Sequence, residues 1–363
     1  MKAAVLVEAN EPLRIEEVEL DPPKANEVRV NIAAAGVCRS DLHFMRGEAV
    51  IAKPAVLGHE GSAIVQEVGE GVTRVAPGDH VILSFVPFCG RCPSCIGGRA
   101  NLCDTHLATG PQMFDGTRRL HWNGQDLAHM GKVACFAEQA VVPEAGCMKI
   151  DPDFPLPVAA LIGCSVTTGV GSVLFSAQVE PGSTVAVIGC GGVGLNVVQG
   201  ARLAGAKRII AVDINDAALE FATRFGATDT LNPNHGDALK EIRDMTGGGV
   251  DYAFEAFGSS ETATMTFDAA RKGGTAVIVG LAPVGDFASI DAVALVRYEK
   301  TLKGAYYGSS RPAIDFYRMV DFYESGKIDV DNLITRTYNL DQINEAYEEL
   351  DRGVVGRGVI TFS

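Results

Sequence analysis

Cys89, Cys92, Cys95 and Cys103 crowd one short stretch, spaced C-x2-C-x2-C-x7-C within CGRCPSCIGGRANLC. Four thiolates this close in sequence can enclose a single tetrahedral Zn²⁺ with no open position, which defines a structural site. The glycines and the proline between them let the loop fold back. Disulfides and a cysteine-ligated iron–sulfur cluster are the competing readings. Nine cysteines in 363 residues, with charges and no long apolar run near the start, argue for thiols or thiolate ligands in a reducing cytoplasm.

A second set is scattered: Cys38 in GVCRSDLH, His59 in GHEG and Cys164 in IGCSVTTG. Each is bracketed by glycine or small residues, as expected where loops bring side chains to one point. Three protein ligands would leave the fourth zinc position free for water or substrate, the geometry of a catalytic site. Two thiolates and a neutral imidazole balance the ion's charge while keeping it a Lewis acid. Spacing alone supports this set less strongly than the first, since a lone buried His or Cys is more often a packed core residue.

A third set is the turn VAVIGCGGVG, in which Gly189, Gly191 and Gly194 match G-x-G-x-x-G, with Gly192 and Val193 between them. An apolar run precedes it and a helical pattern follows. The first glycine permits the tight turn, the second admits a pyrophosphate, and the third lets helix and strand pack closely, with the helix N-terminus facing the phosphates. Roughly twenty residues on, the strand candidate RIIAVDI carries Asp213 near its end. Its carboxylate can accept hydrogen bonds from an unphosphorylated ribose and repels a 2′-phosphate, which favours NAD over NADP.

The elements that must position these residues change character along the chain. Residues 1–165 carry short β-type runs such as 28–34, 62–68 and 80–83, separated by Gly and Pro, and little helical periodicity. From about Thr167 strands alternate with ten-residue helices: strands at 183–189, 208–214, 250–257 and 275–280, helices at 192–205, 216–225 and 261–271. That alternation means β-α-β units on a parallel sheet. Two amphipathic helices, 312–325 and 340–351, and a last strand at 358–362 close the chain. The composition, 47% hydrophobic and 21% charged, is that of a globular protein with room for two domains. Lys+Arg 31 against Asp+Glu 45 leaves −14, which argues against nucleic acid or an anionic membrane as partner.

Together the three sets resemble the zinc-dependent alcohol dehydrogenases of the medium-chain dehydrogenase/reductase superfamily, and the likeness runs from MKAAVL to GVITF. The long segment 104–135 is closer to the animal-type and glutathione-dependent formaldehyde dehydrogenases than to the shorter yeast type. The resemblance implies an α/β fold: a GroES-like irregular β catalytic domain with a structural zinc lobe (1–165), a doubly wound Rossmann domain binding NAD (166–307), and a return to the first domain (308–363). It implies two zinc ions per chain. Cys38, His59 and Cys164 match the catalytic zinc ligands, Glu60 a carboxylate that ligates the metal transiently, and Asp41 the carboxylate that orients the zinc-bound histidine. Ser40 matches the hydroxyl that meets the substrate oxygen, and His43 the outer end of the proton relay. Arg39 and Arg357 match pyrophosphate-binding positions. Thr168, Val193, Val279 and Tyr307 fall along the cofactor path, and Phe85 and Met130 at the pocket wall. Cys135, Cys147 and Cys190 match no ligand position and read as packed residues.

The implied activity is reversible hydride transfer between NAD and a primary alcohol or its aldehyde, with secondary alcohols as the wider class. The alternatives are S-(hydroxymethyl)glutathione dehydrogenase on the same scaffold and, more distantly, a non-catalytic NAD- and zinc-binding protein. The implied assembly is a homodimer joined through cofactor-domain sheets, with tetramers among bacterial relatives. Two positions depart from the pattern. Ala63 stands where the family has glycine, a cost of roughly 1 kcal/mol if the backbone needs a positive φ. Leu107 stands where glutathione-dependent enzymes carry an arginine, which weakens that substrate reading.

Overall fold

The computed structural model of the chain describes residues 1–362. By internal contacts the chain divides into two units: Met1–Cys164 with Arg311–Asp321 and Ile334–Ser363, and Ser165–Ser310 with Phe322–Leu333.

Two sheets build the first unit. One runs in the order Cys147–Ile150, His80–Leu83, Gly61–Val68, Glu27–Gly36, Arg357–Thr361, Ile334–Tyr338, with Gln139–Pro143 also paired to Glu27–Gly36. In Glu27–Gly36, Val28, Val30 and Ile32 are buried while Arg29 and Asn31 are not, the period-2 alternation of a strand with one face on a core. The other sheet is smaller and joins Lys2–Leu6 to Arg14–Glu17, Ala55–Val56 and the hairpin Leu120–Trp122/Gln125–His129. Ala63 lies within Gly61–Val68, opposite Ile32 and Val81. It is fully buried and its φ is not positive, so the cost weighed for alanine there does not arise.

The second unit is a six-stranded parallel sheet in the order Asp229–Leu231, Arg208–Val212, Thr184–Ile188, Val250–Glu255, Ala270–Ile278, Thr301–Gly304. In chain order that is 3-2-1-4-5-6, the doubly wound Rossmann arrangement. The helix Gly192–Leu203 follows the first strand and Asp216–Phe225 the second.

Two features differ from the sequence reading. The return over 308–363 is interrupted, because Phe322–Leu333 belongs with the parallel sheet. Gln199 fixes it there, donating to the Asp329 carbonyl at 3.1 Å and accepting from its N–H at 2.6 Å, while Arg202 donates to the Lys327 carbonyl at 2.9 Å. The second feature is the helix Leu156–Ala177, absent from the sequence reading. It is 22 residues long, and an 18-residue window of it has a mean hydropathy of 1.9, long and apolar enough to cross a bilayer, but 89% of that window is buried inside the protein. A helix apolar on every side has no amphipathic period to detect, and burial is its usual explanation in a folded chain.

Candidate metal centres and active site

Cys38 and His59 meet because of strand register. Glu27–Gly36 and Gly61–Val68 are antiparallel neighbours with Ala35 opposite Gly61. The chain that leaves the first strand toward Cys38 and the chain that enters the second from His59 therefore lie at one end of the sheet. Cys164 arrives by helix. Ser62 Oγ donates to the Leu156 carbonyl at 2.6 Å and ties the helix start to the same strand. At Gly163 a Cβ would stand 2.8 Å from the Leu83 carbonyl and 3.5 Å from that of Gly61. Only glycine lets the helix pass this close. Cys164 itself sits in a π-helical turn, Ile162–Val166, a distortion that recurs at functional sites.

The result is a buried cluster in which the Cys38, His59 and Cys164 donor atoms lie within 4.8 Å of one another, with Cys164 Sγ 3.3 Å from His59 Nε2. Two sulfurs and one imidazole nitrogen at this spacing fit a tetrahedral zinc with one open corner. The electrostatics suit a cation. The Cys164 thiol's hydrogen bond, with the Arg357 and His59 charges, holds the Cys38 thiol well below its ordinary range against burial. Cys164, the donor of that bond and itself buried, is pushed up. Burial works against a charged His59, but Asp41 and Cys38 outweigh it and push His59 well above the usual imidazole range.

Asp41 Oδ1 accepts from His59 Nδ1 at 3.3 Å and from the Gly58 N–H at 3.0 Å. This fixes the imidazole with Nε2 turned to the two sulfurs, the role expected of a carboxylate behind a metal-bound histidine. Glu60 stands outside the donor cluster: its Oε2 accepts from Arg357 Nη2 at 2.5 Å, and both side chains are buried. Glu60 and Arg357 are thus paired in this structure. Arg357, which matches a pyrophosphate-binding position, has this carboxylate as its partner here. Phe85 packs edge-on to the His59 ring, centroids 5.1 Å apart, and Met130 is buried in the same core.

Ser40 and His43 lie on the helix Arg39–Met45, whose N-cap is Cys38. Ser40 Oγ is 3.7 Å from Cys38 Sγ. His43 Nδ1 is 2.6 Å from Glu48 Oε2, while Arg39 is half-buried. Two residues here were not singled out in the sequence. Glu48 was one. Tyr347 is the other: its buried hydroxyl and Asp41 Oδ2 both lack a hydrogen-bond partner, and burial together with the Asp41 charge pushes the phenol well above its ordinary range. Neither contact has a spacing signature, because a turn makes one and a returning segment the other.

The four-cysteine loop also closes into one cluster, its sulfurs within 4.8 Å of one another. Backbone N–H groups point at the sulfurs: Cys89 to Cys103 Sγ at 3.3 Å, Cys92 to Cys89 Sγ and Cys95 to Cys92 Sγ, each at 3.4 Å. Burial opposes ionisation of Cys89, but hydrogen bonds led by the Thr105 side chain bring it down to about 6. Burial and the neighbouring Cys92 push Cys95 up to about 12. All four are thiols rather than disulfides, and the donor set fits a closed Cys₄ zinc site. Lys132, fully buried, reaches under the lobe to the carbonyls of His106 at 3.2 Å and Gly110 at 2.6 Å.

In the second unit Gly189 turns with φ +93 and Gly191 caps the helix Gly192–Leu203. A Cβ at Gly194 would collide with the Gly189 carbonyl. Asp213 braces the turn, its Oδ2 accepting from the Cys190 N–H at 2.8 Å and its Oδ1 from the Asn215 N–H at 2.9 Å. Glu255 organises the next loops: Oε1 accepts from Phe257 N–H at 2.9 Å and Gly258 N–H at 2.6 Å, and Oε2 from Gly280 N–H at 3.1 Å. Val279, beside Gly280, donates its N–H to the Glu255 carbonyl at 2.9 Å. Thr168 and Tyr307 are buried, Tyr307 with φ +56.

Residues 24–152 match the alcohol dehydrogenase GroES-like domain, and residues 192–325 match the zinc-binding dehydrogenase family. The chain belongs to the zinc-binding alcohol dehydrogenase family. Within that family it is 40% identical to an alcohol dehydrogenase class-3 of Cereibacter sphaeroides over 376 residues, covering 99% of each chain. It is 41% identical to an NDMA-dependent alcohol dehydrogenase of Amycolatopsis methanolica over 369 residues, covering 100% of this chain and 99% of the relative. Among solved structures it matches an alcohol dehydrogenase zinc-binding domain protein of Burkholderia ambifaria at TM-score 0.94 and 35% identity, covering 100% and 98%. It matches benzyl alcohol dehydrogenase of Acinetobacter calcoaceticus at TM-score 0.94 and 31% identity, covering 100% and 99%. The near-equal identities to the first two relatives place the chain in the family without singling out a branch.

Proposed function

We propose that the protein is an NAD-dependent zinc alcohol dehydrogenase that interconverts a small primary alcohol and its aldehyde. It carries one catalytic and one structural zinc and works as a homodimer. Nine free thiols fit a reducing compartment such as the cytoplasm. The observation that carries the reading is the buried Cys38/His59/Cys164 cluster with Asp41 behind His59. Zinc bound there supplies a Lewis acid that acidifies a substrate hydroxyl, and NAD supplies the hydride acceptor.

The chain's own residues do the rest. Asp41 keeps the proton on His59 Nδ1. Ser40 Oγ, beside Cys38, takes the hydroxyl proton, and His43 releases it to solvent, a task for which an imidazole is suited near neutral pH. Phe85 and Met130 supply apolar wall. Asp213, Gly189, Gly191, Gly192, Val193 and Gly194 hold the dinucleotide, with Thr168, Val279, Tyr307, Arg39 and Arg357 as further contacts; for Arg357 this requires it to share its guanidinium with Glu60.

The likeness to an NDMA-dependent enzyme over the whole chain supports a second reading, in which a retained NAD is recycled by another acceptor. The test is metal content per chain plus an alcohol and aldehyde panel, each run with free NAD, with NDMA, and with formaldehyde and glutathione. Two zinc ions and NADH formed from a primary alcohol are expected, and Cys38→Ala should abolish turnover while keeping the four-cysteine metal. Turnover retained by Cys38→Ala would overturn the zinc mechanism, and turnover seen only with NDMA would transfer the assignment to the second reading.

A further inference from the structure

The end of the helix that carries Ser40 and His43 has a particular build. After Met45 the chain passes Arg46 and turns at Gly47, with φ +70, a conformation that glycine takes without a Cβ penalty. The turn sends the chain back over the helix. The N–H groups of Glu48 and Ala49 both donate to the His43 carbonyl, at 2.8 and 3.1 Å. The Glu48 side chain then reaches the His43 ring, Oε2 to Nδ1 2.6 Å. His43 is nearly enclosed, its side chain 11% exposed, and Glu48 is 33% exposed. Arg46, the nearest cation in sequence, is drawn to Asp351 at 2.5 Å, so the carboxylate faces the imidazole and no arginine or lysine is paired with it among the described residues.

We propose that Glu48 is a positioning residue for the proton relay: by accepting from Nδ1–H it fixes the His43 tautomer, so that Nε2 carries the lone pair that receives the substrate proton. This rests on the relay reading of Ser40 and His43 above. An ionised carboxylate can only accept, so the short contact requires the hydrogen to be on Nδ1. When Nε2 takes a proton the ring becomes a cation hydrogen-bonded to a carboxylate, a charge-assisted pair. The proton then passes from Nε2 to solvent and the neutral ring returns. Glu48 neither takes nor gives a proton, so charge and atoms balance. The same division of labour, one group moving the proton and a carboxylate holding the ring, operates in serine hydrolases.

Two measurements on the full-length protein test this. With ¹⁵N-labelled histidine, nitrogen chemical shifts read the tautomer of each ring without turnover, and His43→Gln assigns the His43 signals. The wild type should show Nδ1–H at His43, Glu48→Ala a mixture, and Glu48→Asp the wild-type form in part. In single-turnover NADH formation with the zinc-loaded enzyme, His43→Gln and Glu48→Ala should both slow the step, roughly 100-fold and 10-fold for a lost and a misoriented proton carrier. Both should recover rate with added imidazole, which a merely structural loss would not do, and Glu48→Asp should fall between Glu48→Ala and wild type. If His43→Gln is slow and rescuable but Glu48→Ala matches wild type in tautomer and rate, Glu48 has no positioning role and the relay stands. If His43→Gln itself turns over like wild type, the relay reading fails and this proposal goes with it.

Discussion

Asp41 is fully buried and its Oδ1 serves both the Gly58 N–H and His59 Nδ1. Asparagine there offers a neutral amide in place of a charge that favours a cation in the site. We expect Asp41→Asn to weaken metal retention on the order of 10–100-fold. The comparison is the rate at which a chelator strips the three-donor site against the four-cysteine site in the same molecule; equal rates in variant and wild type would remove Asp41 from the metal's support. His121 gives a pH-dependent case away from both centres. Its Nε2 is 3.0 Å from Asp21 and its Nδ1 2.9 Å from Asp126. The Asp21 hydrogen bond foremost, and Asp126 after it, raise its affinity for a proton despite partial burial. A raised folded-state value means the stabilisation is complete below about pH 6.5, the unfolded value, and is lost as pH rises through the folded one. The melting-temperature gap between wild type and His121→Gln should therefore be widest in mild acid and close on the alkaline side. At this scale the sequence was most informative where a residue type is costly to place without a purpose: Cys38, His59 and Cys164 converge, and Asp41 stands behind His59 as the resemblance implied. The pairing of Arg357 with Glu60 was not legible, because it joins residues 297 apart.

Strands and helices in the second unit were legible because their periods alternate cleanly. The observed Thr184–Ile188, Gly192–Leu203 and Asp216–Phe225 fall within or match the expected ranges. The helix Leu156–Ala177 was not, although it delivers the third metal donor. Apolar on all sides, it presents no stripe, and its proline and glycines read as loop punctuation. One of those glycines gives the element its test. At Gly163 a side chain would press on the Leu83 carbonyl, 2.8 Å away, a backbone atom held in the strand pairing of His80–Leu83 with Gly61–Val68. The helix must then lift from the strand ends, carrying Cys164 from His59. Gly163→Ala should cost about 1–3 kcal/mol, the usual penalty of an overpacked core, and should lower the metal content of the three-donor site while the four-cysteine site stays filled. A variant with full metal at both sites and an unchanged melting point would show that the helix does not depend on this close approach.

Several of the most exposed apolar residues of the second unit lie in the stretch of chain that leads to one edge strand of its sheet. Thr301–Gly304 is the terminal strand in the sheet order and is exposed along its length. Close by in sequence, Val293 is 60%, Val296 75% and Phe287 87% exposed. An unpaired edge strand with open N–H and C=O groups is a ready template for another strand, and apolar surface beside it adds the driving force for burial. A net charge of −14 opposes indiscriminate association, since like-charged copies repel; the homodimer proposed above would cover both features if it formed as a two-fold pairing through this edge. Isologous pairing of this kind buries the same patch on each copy. We therefore expect wild type to sediment as a dimer at micromolar concentration. Val296→Asp with Leu302→Asp, placing a carboxylate of each copy in that patch, should shift the population to monomer by at least tenfold in dissociation constant, about 1.4 kcal/mol. Both positions are exposed, so the fold should tolerate the change within about 0.5 kcal/mol, and the chain should keep both metals. A double variant that still sediments with the wild type would place the assembly surface elsewhere, and a wild type that sediments as a monomer would end the dimer proposal altogether.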